Sequence, residues 1–293
     1  MSQHGAGNFP IRHFGSATTV FEYGGLRFLT DPVFDPPGTF DADGGTVVTK
    51  TEAPNGHATD LDSIDVALVT HEHPDHLDAS GRSVLSGVPL ILTTSSAGQE
   101  LGGRVTHLSD FESAEIERPD GGTVTVTAVG AIHGPAPRED VESLLGQVIG
   151  FVLTGESLPT VYISGDNASL DEVKKTADRF APVDTAIIYA GAPRFPGLYD
   201  NQCIVLDSAQ AAEAARLLGA RRVVPVHYDG WAHLTEGRAE LQAAFAAAGL
   251  ADLLDWPQTA RTAVSLRASS VGTRPARTKP PCYYGPSSAA KAS

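Results

Sequence analysis

Val66-Ala-Leu-Val-Thr70-His71-Glu72-His73-Pro74-Asp75-His76 joins an apolar run to three histidines and one aspartate packed into six residues. The run has the composition of a strand buried on both faces. In an extended segment residues i and i+2 point the same way, so His71 and His73 present their imidazoles together, and the turn that follows carries Asp75 and His76 toward a second position. Imidazole nitrogen and carboxylate oxygen are donors that zinc and other borderline divalent ions prefer. His71-Glu72 also opens like the zinc-protease pattern H-E-x-x-H, which needs a second histidine one helical turn on. Position 75 is aspartate and Pro74 opposes a helix there, so that reading is excluded.

Around this segment, short β-branched runs alternate with glycine turns. Thr18–Glu22 and Leu26–Thr30, separated by Gly24-Gly25, predict an opening hairpin. Further strands are predicted at 66–70, 90–94, 123–129, 148–153, 160–164, 185–189, 222–226 and 263–266. Ser169-Leu-Asp-Glu172 is a capping box leading into a helix toward Phe180. Asp207 or Ser208 caps a second helix ending at Gly219, and a third runs from Thr235 to Ala248, closed by Gly249. Hairpins first and strand-helix units later fit an α/β chain of two or four layers with mixed sheets.

The chain has 293 residues, 41% hydrophobic and 19% charged, with 35 acidic side chains against 21 basic ones and a formal charge of −14. That charge sets it against nucleic-acid phosphates and anionic membrane surfaces, so a small-molecule substrate is expected and no nucleic-acid partner. Two cysteines, Cys203 and Cys282, cannot build a disulfide framework. The first fifteen residues lack the pattern of a signal peptide, and the Ala-rich stretch from Leu241 to Leu254 is too short for membrane insertion. A cytoplasmic location follows as an expectation, with a homo-oligomer left open. Residues 267–293 read as a flexible Pro/Ser/Ala-rich tail after a catalytic domain spanning 1–266.

On these residues the sequence resembles the metallo-β-lactamase superfamily, whose first signature has the form H-x-H-x-D-H after a strand. The match continues through Asp31 in Leu29-Thr-Asp-Pro32, His133 in Ala131-Ile-His-Gly134, Asp166 in Ser164-Gly-Asp166 and His227 in Val224-Pro-Val-His227. Phe14-Gly-Ser-Ala-Thr18 and Pro225-Val-His-Tyr228 look closest to the branch of L-ascorbate-6-phosphate lactonase-like and phospholipase D-like hydrolases. The resemblance implies a four-layer αββα sandwich of two mixed β-sheets flanked by helices. It implies one metal held by His71, His73 and His133, a second by Asp75, His76 and His227, and Asp166 bridging both. Asp31 matches a position that supports the fold near the site, or is a simple turn aspartate. Ser16 stands where relatives often carry histidine, and Asn167 where threonine is frequent.

The expected chemistry is dinuclear hydrolysis. Two divalent ions, zinc foremost with manganese, iron or cobalt tolerated, share a hydroxide that attacks an ester, lactone or phosphoester. Asp75 is the candidate to orient the water, and Tyr228 and His233 are candidate donors to the oxyanion. Arg194 is a candidate anion anchor, and the acidic insertion 34–62 a candidate lid. Phosphodiesterase, phospholipase-like or amide hydrolysis is the alternative, and a metal-binding scaffold with a dead site is the non-enzyme one. A flavin-linked di-iron oxidoreductase is set aside because position 73 is not glutamate. His4, His13, His57 and His107 are expected to be non-ligands.

Overall fold

A computed structural model of the protein describes residues 9–42, 46–101 and 105–259. The chain opens with β1 (Ile11–Gly15), β2 (Thr18–Tyr23) and β3 (Leu26–Thr30), then a separate hairpin of β4 (Gly38–Asp41) and β5 (Val47–Lys50). It continues through β6 (Val66–Leu68), α1 (Ala79–Leu85), β7 (Leu90–Thr93), α2 (Ser95–Leu101) and β8 (Val105–His107). Next come β9 (Ser113–Glu117), β10 (Thr123–Gly130), α3 (Arg138–Leu145) and β11 (Ile149–Gly155). The last part alternates β12 (Val161–Ile163), α4 (Leu170–Phe180), β13 (Thr185–Tyr189), α5 (Ser208–Leu217), β14 (Val223–Val226), α6 (Arg238–Ala247) and β15 (Gln258–Thr259).

Two mixed sheets result, ordered β15-β1-β2-β3-β6-β7-β8 and β14-β13-β12-β11-β10-β9. Period-2 alternation sorts their side chains into layers. Phe28, Val66, Leu68 and Leu92 of the first sheet meet Phe151, Ile163, Ile187 and Val224 of the second in one buried core. Their neighbours Leu29, Ala67, Val69 and Ile91 face the other way, with Leu85 of α1. On the far side Tyr162, Ala186, Ile188 and Val223 pack with Val173, Ala211, Ala215, Leu241 and Phe245 of α4, α5 and α6. The order is therefore helix, sheet, sheet, helix, the expected αββα sandwich.

The predicted strands from 66 to 226 and all three predicted helices are present, with ends shifted by up to three residues. Ser169 caps α4 by accepting from Glu172 N, and Asp207 caps α5 by accepting from Gln210 N. The third helix begins at Arg238 rather than Thr235, because Gly237 is its cap. The strand expected at 263–266 and the tail expected at 267–293 lie outside the described residues. Unforeseen were β1, β4, β5, β8, β9, β15 and helices α1 to α3. No described helix is long and apolar enough to cross a membrane.

Strand direction places the site. β3 and β6 run parallel in the first sheet, while β12, β13 and β14 run parallel in the second. β10, two antiparallel pairings from β12, points the same way. The C-terminal ends of β10, β12, β13 and β14 thus share one edge, which faces the ends of β3 and β6.

Phe151 is fully buried between the sheets. Phe151→Ala is expected to lower unfolding stability by about 3–5 kcal/mol, whereas Leu144→Ala at the exposed end of α3 costs no more than about 0.5 kcal/mol. Denaturant titration of both variants checks this, and equal losses would contradict the layer order.

Candidate metal centre

Each chemically active side chain lies just past a strand end. β6 leads to Thr70 and His71, and a tight turn with His76 N and Leu77 N both donating to His73 O at 2.9 and 2.8 Å folds Asp75 and His76 back. His133 follows β10, Asp166 follows β12 and His227 follows β14. Gly165 turns the chain toward Asp166 with a left-handed φ of +59°, and a Cβ there would lie 2.6 Å from Ile149 O, so the position requires glycine. His227 itself sits at φ +55°, held by its N–H donating to Ser16 O at 2.8 Å.

The seven residues from the first signature through His227 come together. Potential ligand atoms of His71, His73 and His133 lie within 4.8 Å of one another, as do those of His71, His76 and Asp166 and those of Asp75, His76 and His227. The Asp166 carboxylate reaches both ends, with His133 Nε2 at 3.7 Å, His76 Nε2 at 3.3 Å and His227 Nδ1 at 3.2 Å. Six of the seven are buried and His73 is half-buried.

The outer hydrogen bonds aim these rings. His133 Nδ1 contacts Ile204 O at 2.9 Å, His71 Nδ1 contacts Thr70 Oγ1 at 3.0 Å, and His76 Nδ1 contacts Asp31 Oδ2 at 3.0 Å. Carbonyl and carboxylate oxygens only accept, so His133 and His76 each carry a proton on Nδ1 and turn Nε2 inward, where it becomes a cation donor once any proton on it is displaced. Asp31 is fully buried and also accepts from Thr70 N at 2.7 Å, Thr70 Oγ1 at 2.9 Å and Tyr189 OH at 2.8 Å. It is a support for the site and more than a turn residue.

The two departures from the family pattern occupy comparable places. Ser16 donates through its N–H to Asp229 at 3.1 Å and through Oγ to Asp75 O at 3.3 Å. Asn167 accepts from Ile132 N at 3.1 Å and donates to Ser169 O at 2.9 Å, tying the His133 loop to the Asp166 loop.

Charge explains the rest. Burial opposes ionisation of Asp75, yet His76, His227 and His233 outweigh it and hold the carboxyl well below the usual range. Asp166 behaves likewise, lowered against its burial by His227, His76 and His133. Burial disfavours a proton on His76, but Asp166, Asp75 and Asp31 raise its pKa well above 6.5. His71 is pushed well below 6.5 by burial and its histidine neighbours, and burial brings His133 down to about 4. The pocket thus favours positive charge beside its carboxylates and neutral imidazoles opposite.

These residues fit a divalent cation. His76 Nε2, Asp166 Oδ1 and His227 Nδ1 are buried without a hydrogen bond of proper geometry, a costly state for polar atoms unless a cation satisfies them. His71 Nε2 and His73 Nδ1 stand 3.0 Å apart, near the roughly 3.3 Å that two zinc-nitrogen bonds of about 2.0–2.1 Å give at a tetrahedral angle.

A cleft opens on this end, floored by His73, Asp75, His133, Asp166 and His233 and walled by Val48, Leu145, Phe195, Leu198 and Ile204. His233 Nε2 lies 3.0 Å from Asp75 Oδ2, and its ring stacks on Phe195 at 5.0 Å between centroids. Tyr228 is not brought to the cleft: its ring stacks near His13 and meets Trp256 edge-on at 5.6 Å. It directly follows His227, whose turn sends the next side chain to the opposite side, among the helix-facing apolar residues. Arg194 also points elsewhere, donating to Asn201 O at 2.8 Å. His13 is buried against Ser16 O, while His57 and His107 are exposed; His4 lies outside the described residues.

The insertion 34–62 carries the β4–β5 hairpin. β5 bridges to Trp231, with Ala232 N donating to Thr49 O at 2.9 Å, and Phe40 packs on Trp231 at 5.6 Å. Val48 thereby becomes a cleft wall. Apolar walls such as Leu145 and Ile204 carried no signal in the sequence to separate them from core residues.

The sequence model of the "Beta-lactamase superfamily domain" matches residues 26–228. A UPF0173 metal-dependent hydrolase of Rubrobacter xylanophilus is 31% identical over 238 residues, 78% of this chain and 85% of that protein. N-acyl-phosphatidylethanolamine-hydrolyzing phospholipase D 1 of Caenorhabditis elegans is 30% identical over 228 residues, 73% of this chain and 62% of that longer relative. The crystal structure of an isothiocyanate hydrolase from Delia radicum gut bacteria superposes with a TM-score of 0.69 at 24% identity, covering 84% of this chain and 95% of that one. The superposition shares the fold, the sequence match spans most of the described strands, and the chain belongs to the metallo-β-lactamase superfamily.

Proposed function

We propose that this protein is a dinuclear metal-dependent hydrolase of small-molecule esters, lactones or phosphoesters. The observation that carries the reading is the Asp166 carboxylate, set between one histidine group and the other. His71, His73 and His133 would hold one ion and Asp75, His76 and His227 the second, with Asp166 in reach of both groups, and zinc would suit the nitrogen-rich set. When bound, two such ions supply Lewis acidity and a water whose pKa falls toward about 7. The metal-dependent hydrolases among the relatives support the hydrolytic class, and the named phospholipase supports a phosphoester as one substrate type.

The chain's own groups then divide the work. Asp75 Oδ2 accepts from His227 at 3.2 Å and from His233 Nε2 at 3.0 Å, which fixes the His233 ring at the cleft and leaves its Nδ1, buried without a partner, as the atom to contact the leaving oxygen or the developing negative charge, as a donor when the ring is protonated. Phe195 and Trp231 flank that ring and fix its tilt. Asp31 and Thr70 hold the His76 and His71 rings, limiting the reorganisation needed on binding.

Elemental analysis of the metal-loaded protein should find two ions per chain, and p-nitrophenyl butyrate or bis(p-nitrophenyl) phosphate should be turned over. A single ion at saturation, or no turnover of either compound, would sink the reading. His233→Ala should lower kcat by about 10²–10³ at unchanged metal content. Asp31→Ala should weaken metal binding by about 10–100-fold, read by competition with a chromogenic chelator.

Stripped of metal, the protein should lose stability as pH falls from 6.5 to 4. In that window the unfolded chain takes up a proton that buried His133, with its pKa at about 4, refuses. The penalty is about 3 kcal/mol. His71 acts in the same direction, whereas stability from His76, present below 6.5, is lost only as pH rises through its raised value. Denaturant midpoints across this range should fall less steeply in His133→Gln.

A further inference from the structure

Beyond the donor residues the cleft widens into an outer chamber of about 460 Å³, more than tenfold the roughly 30 Å³ share of one water. Thr46, Leu145, Phe195 and Leu198 line both the floor region and this chamber, so the two are immediate neighbours.

The chamber differs from ordinary surface in two ways. Val47 of β5 and Leu144 of α3 are the exposed large hydrophobics among the described residues, at 54% and 41%, and both line it. Two elements far apart in sequence therefore leave apolar surface in water at the same opening, a cost that only a covering group removes. In addition, no lysine or arginine is among the described lining residues of either part, whose charged groups are Asp75 and Asp166 at the floor. Arg194, next to Phe195, is committed to Asn201 O, and Lys50, two residues past Val48, is buried with its Nζ donating to Asp35 O at 2.8 Å. An anionic arm in the chamber would lose water and gain no cationic partner.

The geometry points to a substrate whose arm is uncharged and apolar, seated in the outer chamber between Val47 and Leu144, with its scissile group at the Asp75–His233 end. This rests on the hydrolase reading for the bond that is cut; the chamber's preference is measured separately, by binding. Any aliphatic or aromatic arm that removes both side chains from water satisfies the walls.

Calorimetric titration of the metal-loaded protein with 2-decanone and 2-butanone, ketones that present no bond to hydrolyse, reads the chamber directly. The longer ketone should bind at least about 30-fold more tightly, and Val47→Asp/Leu144→Asp should cut that ratio below about fivefold. Both side chains are exposed, and Leu144→Asp alone should give an intermediate ratio if the double variant folds poorly. In turnover, p-nitrophenyl octanoate should exceed the p-nitrophenyl half-ester of suberic acid, which ends in a carboxylate, by about tenfold or more in kcat/KM. Equal ketone affinities, a ratio unchanged in the variants, or measurable but equal turnover of the two esters would overturn the proposal. Ketone discrimination that persists and is lost in the variants, in a protein that cleaves neither ester, would uphold the chamber and remove the hydrolase reading alone.

Discussion

The buried carboxylate of Asp31 is the constraint on which the donor end depends. It sits at the close of β3 and accepts hydrogen bonds from Thr70 after β6, from His76 in the following turn and from Tyr189 at the end of β13. These partners come from both sheets, so one side chain fixes the spacing of the two layers where the donors meet. A buried carboxylate is tolerable only when its lone pairs are filled, and here the groups that fill them are the ones that need orienting. Tyr189 is locked into the donor role, since burial and Asp31 push its phenol well above its ordinary pKa.

The same economy runs through the surrounding shell. Ser16 carries the His227 and Asp75 loops, and Asn167 carries those of His133 and Asp166. Neither residue offers a donor to a cation; both hold backbone segments whose left-handed or tightly turned geometry would otherwise relax. The core between the sheets stiffens the strand ends, and the polar shell converts that stiffness into ring direction.

Much of this was legible in the sequence because it obeys local rules. The donors occur in one dense signature after β6 and at three further strand ends, and the strands that deliver them are apolar runs or, for β10, a regular Thr/Val alternation. The helices α4 and α5 announce themselves through side-chain caps. Asp78 caps α1 as well, but α1 and α2 have only seven residues each, with Gly81 and Gly98 inside them, and they persist through packing on the first sheet rather than propensity. β9, Ser-Ala-Glu-Ile-Glu, is a polar edge strand, whose pairing with β10 supplies the stability its composition lacks. The destination of Tyr228 could not be read either, since it depends on the backbone turn at His227, a tertiary effect. Apolar cleft walls were illegible for a simpler reason: Val47 and Leu144 look in sequence like any residue of the core.

The β4–β5 hairpin is spliced between β3 and β6, yet those two strands pair directly, Phe28 beside Val66 and Thr30 beside Leu68. Sheet pairing therefore sets the distance between the ends of the insertion whatever lies inside it, and the entropy of closing a longer loop grows only slowly with length. The wall facing the ligand can accordingly be lengthened, shortened or exchanged during descent while Asp31 and His71 keep their places. The part of the cleft wall that β5 supplies and the residues of the donor end thus lie on separate parts of the chain, so that wall can vary without rebuilding the reactive end.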